Sequence, residues 1–258
     1  MADILFDVRD SVAFITLNRE EKMNAFNREM ALSLQHTLDV CRDDQTIKAV
    51  HISGRGIAFS AGQDLAEVAV PNGQGFEKIL SEQFNPIITR IRNLPLPVVA
   101  AVNGVAAGAG ANIALSCDIV VASRSASFIQ AFSKIGLIPD SGGTYFLPRL
   151  IGWQKATALM MLGEKIPAEE AEKMGMIYKM FEDDEFVAQS TGIAKILAQL
   201  PTRALALTKD ALNHSANCSL DEQLKYEDKL QTIAGRTHDF AEGMRAFIQK
   251  TKPSFTGK

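Results

Sequence analysis

Two glycine- and alanine-rich segments and one carboxylate carry the chemistry available to this chain. The first segment is Gly56-Ile57-Ala58-Phe59-Ser60-Ala61-Gly62-Gln63-Asp64-Leu65, and the second is Val102-Asn103-Gly104-Val105-Ala106-Ala107-Gly108-Ala109-Gly110-Ala111-Asn112. Each follows an apolar, β-branched run (49–53 and 97–101) and leads into an expected helix. Small residues let a ligand approach the backbone closely. A helix start directs free N–H groups outward, with the positive end of the helix dipole behind them. Two such donors converging on one point would hold an oxygen that gains negative charge, a main-chain oxyanion hole. That indicates enolate or acyl chemistry. Taken alone, the first segment is equally compatible with a surface loop.

The carboxylate is Asp140, in Gly136-Leu137-Ile138-Pro139-Asp140-Ser141-Gly142-Gly143-Thr144. Apolar residues precede it and small ones follow. A carboxylate in such surroundings tends toward a raised pKa and can trade protons near neutrality. The alternative is that Asp140 caps a helix beginning near Ser141-Gly142. Two other motifs fail. Gly108-x-Gly110 follows a strand, but Ile113 holds the third glycine position of a dinucleotide fingerprint and no acid stands at the required distance. Ser141 does not lie in GxSxG.

Cys41, Cys117 and Cys218 form no CxxC pair, and His36, His51, His214 and His238 fall in no metal-ligand spacing. Metal-free chemistry is expected, without a disulfide framework. A net charge of -3 over 258 residues argues against a broad nucleic-acid surface. No charged residue occurs between Arg92 and Asp118, a length that could span a bilayer. Asn93, Pro95, Pro97, Asn103 and several glycines interrupt it, so a buried strand, turn and helix are expected there instead. The amino terminus lacks the pattern of a signal peptide. A cytoplasmic protein with no membrane or nucleic-acid partner is expected.

The elements that must position these residues read as α/β. Strands are expected at 4–8 and 12–17 around a turn at Arg9-Asp10-Ser11, then at 48–53, 98–102 and 119–122. Asn27 caps a helix to about Arg42, with Met30, Leu34 and Leu38 at spacing four. Residues 68–75, with Pro71, Gly73 and Gly75, read as a loop, and 76–92 as a helix with an apolar face. Beyond Trp153 the pattern becomes helical, with Pro167 and Gly175 bounding one helix. Pro201 opens another, and Ser219 with Glu222 forms a capping box.

In the order of its motifs the chain resembles the crotonase (enoyl-CoA hydratase/isomerase) superfamily. The resemblance runs through Asn18-Arg19, Met23-Asn24-Ala25-Phe26, the two glycine segments, the Asp140 segment and Gly243-Met244-Arg245-Ala246-Phe247-Ile248-Gln249-Lys250. It implies a spiral core of β-β-α units over residues 1–200 and a C-terminal helical trimerisation region over 201–258. It also implies homotrimers, or dimers of trimers, acting on acyl-CoA thioesters, with coenzyme A part of the substrate and no separate cofactor.

By the same resemblance the backbone N–H groups of Ala61 and Ala109 would hold the thioester oxygen. Lys22, Ala25, Gln63, Asp64, Leu65 and Gly108 would line the CoA groove, and Phe247 and Lys250 would reach the CoA of a neighbouring subunit. The hydratases of the superfamily activate water with two glutamates. Here those positions hold Asn112 and Phe132, and neither transfers a proton. Asp140 matches the acid of several isomerases. One base that removes a proton from one carbon and returns it to another suffices for a double-bond shift. An isomerase is therefore expected, most similar to the phenylacetate-catabolic branch acting on ring-1,2-epoxyphenylacetyl-CoA, and also similar to enzymes shifting 3-enoyl- to 2-enoyl-CoA. Phe59, Phe132 and Tyr145 are expected to shape an aromatic-tolerant pocket. A hydratase, or a non-catalytic acyl-CoA-binding subunit, is the alternative.

Overall fold

The structure is a computed structural model that describes residues 2–68 and 75–258. Of the loop expected at 68–75, all but the two ends lies outside the described residues. Among the described residues ten strands form two sheets. The larger contains β1 (Ile4–Arg9), β2 (Val12–Leu17), β3 (Ala49–Gly54), β5 (Val98–Val102), β7 (Ile119–Ser123) and β10 (Lys179–Phe181), in that spatial order. The smaller contains β4 (Ala58–Ser60), β6 (Val105–Ala107), β8 (Ser127–Ile129) and β9 (Lys165–Pro167). β1 and β2 form an antiparallel hairpin, and every later neighbour in the larger sheet is parallel.

The chain makes three successive turns, β3–β4, β5–β6 and β7–β8. Each places its first strand in the large sheet and its second in the small one before passing into helix. This is the spiral of β-β-α units. β5 is buried at every position, as a parallel strand covered on both faces must be. Its period-2 alternation divides the core. Val98, Ala100 and Val102 pack with the Arg28–Asp43 helix residues Met30, Leu34 and Leu38. Val99 and Ala101 face the other way, against Phe186, Ala194 and Ala198 of the Phe186–Gln199 helix.

Local signals account for the helix ends. The Asn27 side chain accepts a hydrogen bond from the Met30 N–H, and Ser219 and Glu222 form the reciprocal box. The stretch expected as one helix over 76–92 is instead α-helix, then a π turn at Leu80–Phe84, then α-helix Asn85–Asn93. Pro86 explains the change: it has no N–H to give, and its ring crowds the carbonyl four residues back. That carbonyl, Glu82 O, accepts from Gln35 Nε2 at 2.8 Å, as does Gln83 O at 3.0 Å.

Thr202–Ser215, Leu220–Ala234 and His238–Gln249 make up the helical tail. Buried Lys209 joins it to the body by donating to Ile91 O, Leu96 O and Asp118 Oδ2. Among the described residues no helix is long and apolar enough to cross a membrane.

Candidate active site

The first glycine segment is held by the motif around Asn24. Met23 and Asn24 both adopt positive φ, 50° and 55°. The fully buried Asn24 side chain donates to Arg55 O at 2.9 Å and Ala58 O at 2.8 Å, and accepts from the Arg19 N–H at 2.9 Å. The next residues bridge to the glycine segment: Phe26 N–H donates to Gly62 O, and Asp64 N–H to Phe26 O. Ala61 N–H donates to Met23 O at 2.9 Å.

That bond corrects one expectation. The Ala61 amide already has its acceptor and is not free to hold a substrate oxygen. Gly62 N–H is likewise engaged, by Ser60 Oγ at 3.1 Å. Within Ala61–Asp64 only the Gln63 N–H is without an acceptor among the described residues. The second donor stands where the sequence places it: Ala109 opens the Ala109–Leu115 helix, so its N–H has no intrahelical partner. The segments meet through Gly62, whose φ is +91° and where an added Cβ would lie 3.2 Å from Ala109 N.

These residues open onto a cavity of about 200 Å³. Its walls include Ala61, Gln63, Leu65, Gly108, Ala109, Phe132 and Asp140, brought together from four separate stretches of chain, and also Phe76, Ile79, Ala131, Lys134, Ile135 and Leu137. Asp140 is the one acid among these wall residues. Burial pushes its carboxyl above its ordinary pKa, and the Ser141 hydroxyl, donating to Oδ1 at 2.8 Å, pulls part of the way back. The capping alternative does not hold. The Gly143–Ile151 helix has Gly142 at its cap position and no side chain bonded to its first turn.

Other expected residues lie elsewhere. Asn112 is fully buried behind the wall, its amide turned to the Asp140 backbone. Tyr145 stands outside the cavity, with the Arg149 guanidinium 3.8 Å from its ring centre. Phe59 is a core residue, so Phe132 and Phe76 are the aromatics of the wall. Asp64 pairs with Arg19 at 3.0 Å and ties down the loop. Lys22 is exposed on the short Glu20–Lys22 turn beside buried Ala25. Phe247 is 82% exposed on the last helix, and Lys250 ends that helix with φ +54°.

A spiral of β-β-α turns that brings unpartnered main-chain amides beside one half-buried acid defines an enzyme of the crotonase type. The chain belongs to the enoyl-CoA hydratase/isomerase family, whose model matches residues 7–258. It is 45% identical, over the whole of both chains, to 1,2-epoxyphenylacetyl-CoA isomerase of Escherichia coli (strain K12). It is 43% identical to a probable enoyl-CoA hydratase of Rhodobacter capsulatus, covering 99% of this chain and 98% of that one. The crystal structure of enoyl-CoA hydratase from Bacillus anthracis superposes with a TM-score of 0.92 at 32% identity, covering 99% of this chain and 100% of that one.

Proposed function

We propose that the protein is an acyl-CoA isomerase working through a thioester enolate. One observation carries the reading: a single acid, Asp140, shares a largely apolar cavity with the unpartnered amides of Gln63 and Ala109. In its ionised form Asp140 takes the α-proton of a 3-enoyl thioester. The electron pair moves onto the thioester oxygen, which accepts hydrogen bonds from Gln63 and Ala109 N–H. Asp140 then returns the proton to the γ-carbon, giving the conjugated 2-enoyl thioester with no net gain or loss of atoms. For a 1,2-epoxyphenylacetyl thioester the ring C–C bond bridged by the epoxide oxygen opens as the ring double bonds shift. The same proton removal from the α-carbon, with return to a ring carbon, completes the seven-membered oxepin isomer with no net gain or loss of atoms. The 45% identical relative named for that substrate supports the choice. The chemistry needs no cofactor beyond the substrate's own coenzyme A.

The wider assembly follows the same reading. Lys22, Ala25, Asp64 and Leu65 border the CoA groove. Phe240, Met244, Phe247 and Ile248 form an exposed apolar stripe at helical spacing, suited to a homotrimer or a dimer of trimers in which Phe247 and Lys250 meet a neighbour's CoA.

A turnover screen with 3-enoyl, 2-enoyl and epoxyphenylacetyl CoA thioesters tests the proposal. Isomerisation of the first or third is expected, and rapid loss of conjugation from the 2-enoyl ester alone would favour hydration. The 43% identical relative named as a hydratase keeps that second reading in the screen. The pH dependence gives an independent check. The base must be ionised, so kcat/KM falls as pH drops through its raised pKa. In Ser141→Ala the carboxylate loses a donor that favours its charged form. The acid limb is therefore expected to move to higher pH, and an unmoved limb would remove Ser141 from the site.

A further inference from the structure

We infer that Gln130 and Asn112 form a polar relay that positions the base, a role resting on the reading of Asp140 above. Gln130 Nε2 donates to Asn112 Oδ1 at 2.7 Å, and Asn112 Nδ2 donates to the Asp140 carbonyl at 2.8 Å. Asn112 is 0% and Gln130 5% exposed, so neither bond competes with solvent. The orientation of both amides is fixed by the end of the chain. A backbone carbonyl only accepts, so Asn112 must turn its NH₂ toward it, and the Asn112 oxygen must then receive the NH₂ of Gln130.

The surrounding backbone is built to admit this contact. A Cβ on Gly143 would stand 2.4 Å from Asn112 Nδ2, so only glycine leaves room for the amide there. The Gly143 N–H also donates to the Asp140 carbonyl, at 2.8 Å. Directly after Asp140 the chain takes two left-handed residues, Ser141 at φ 50° and Gly142 at 76°. A serine in that region is disfavoured and persists where neighbours over-determine it. Two donors on the preceding carbonyl supply that determination, and with it the place of the carboxylate relative to the free amides. Asn112 and Gln130 are absent from the cavity wall, so both act through Asp140 and are positioning residues.

The test compares Asn112→Ala, Gln130→Leu and Asp140→Asn singly and in combination, using the thioester turned over fastest by the parent enzyme. Misplacing a reacting group by about 1 Å can cost about a hundredfold. Asn112→Ala is expected to lose about ten- to a hundredfold in kcat with KM near the parent's, and to show a lowered thermal midpoint because it strands the buried Gln130 amide. Gln130→Leu loses less in the same direction, and it carries the test should Asn112→Ala fail to fold. The double variant falls no further than Asn112→Ala, since both act through one chain of bonds. Parent-like kcat in the folded single variants overturns the relay, as does a loss confined to KM. If Asp140→Asn itself stays fully active, the reading of the base fails. If it is inactive while Asn112→Ala and Gln130→Leu are not, only the relay fails.

Discussion

Replacing Asp140 by asparagine is expected to abolish isomerisation while leaving thioester binding in place. The substitution keeps the size of the side chain and its reach into the cavity, and it preserves the backbone contacts of Asn112 and Gly143 with the Asp140 carbonyl. It removes the basic oxygen, and Asp140 is the one acid among the described wall residues, so no second group stands ready to take over. A missing general base costs about 10²- to 10⁴-fold. Binding should persist because the amides of Gln63 and Ala109 and the apolar wall are unchanged. Calorimetric titration with a non-reactive acyl-CoA, beside steady-state turnover, separates the two effects. Full turnover in this variant would assign the proton transfer to another group.

Much of this site is legible from residue types because its parts are local. The Ala109 amide is free for a reason visible in sequence: it follows Gly108 at a helix start. Asp140 lies in a segment whose apolar approach announces partial burial. The Gln63 amide is different. Which of several consecutive N–H groups in an extended segment stays free depends on the register of its bridge to Met23–Phe26, nearly forty residues upstream. A shift of one residue would exchange the free and bonded amides. No local signal sets that register, and Ala61 and Gln63 are indistinguishable until the bridge is seen.

The strands β4, β6 and β8 escape for a related reason. Three residues are too short to display a period of two, and they pair only because the larger sheet delivers them side by side. Asn112 shows the opposite case. Its position points to the site through the resemblance, but its side chain faces the Asp140 carbonyl behind the wall.

The second large effect is expected from Gly62→Ala, a change that adds one methyl group and touches no titratable residue. Gly62 holds φ +91°, which L-residues rarely adopt. The added Cβ would lie 2.8 Å from the Ala107 carbonyl and 3.2 Å from Ala109 N, both main-chain atoms with little freedom to retreat. Relief requires the two segments to move apart, and the pair of donors moves with them: Gln63 is the next residue on one side and Ala109 stands on the other. An oxyanion hole acts through fixed donors placed where charge develops, and losing one donor costs about 10²- to 10³-fold in kcat. Gly62→Ala should therefore fall in that range even when it folds, with a smaller change in KM, because the ground-state carbonyl carries less charge than the enolate. Circular dichroism and a melting curve establish folding, and kcat on the same sample reads the effect. A folded Gly62→Ala protein with parent kcat would mean that the thioester oxygen is held elsewhere, and the pairing of Gln63 with Ala109 would have to be abandoned.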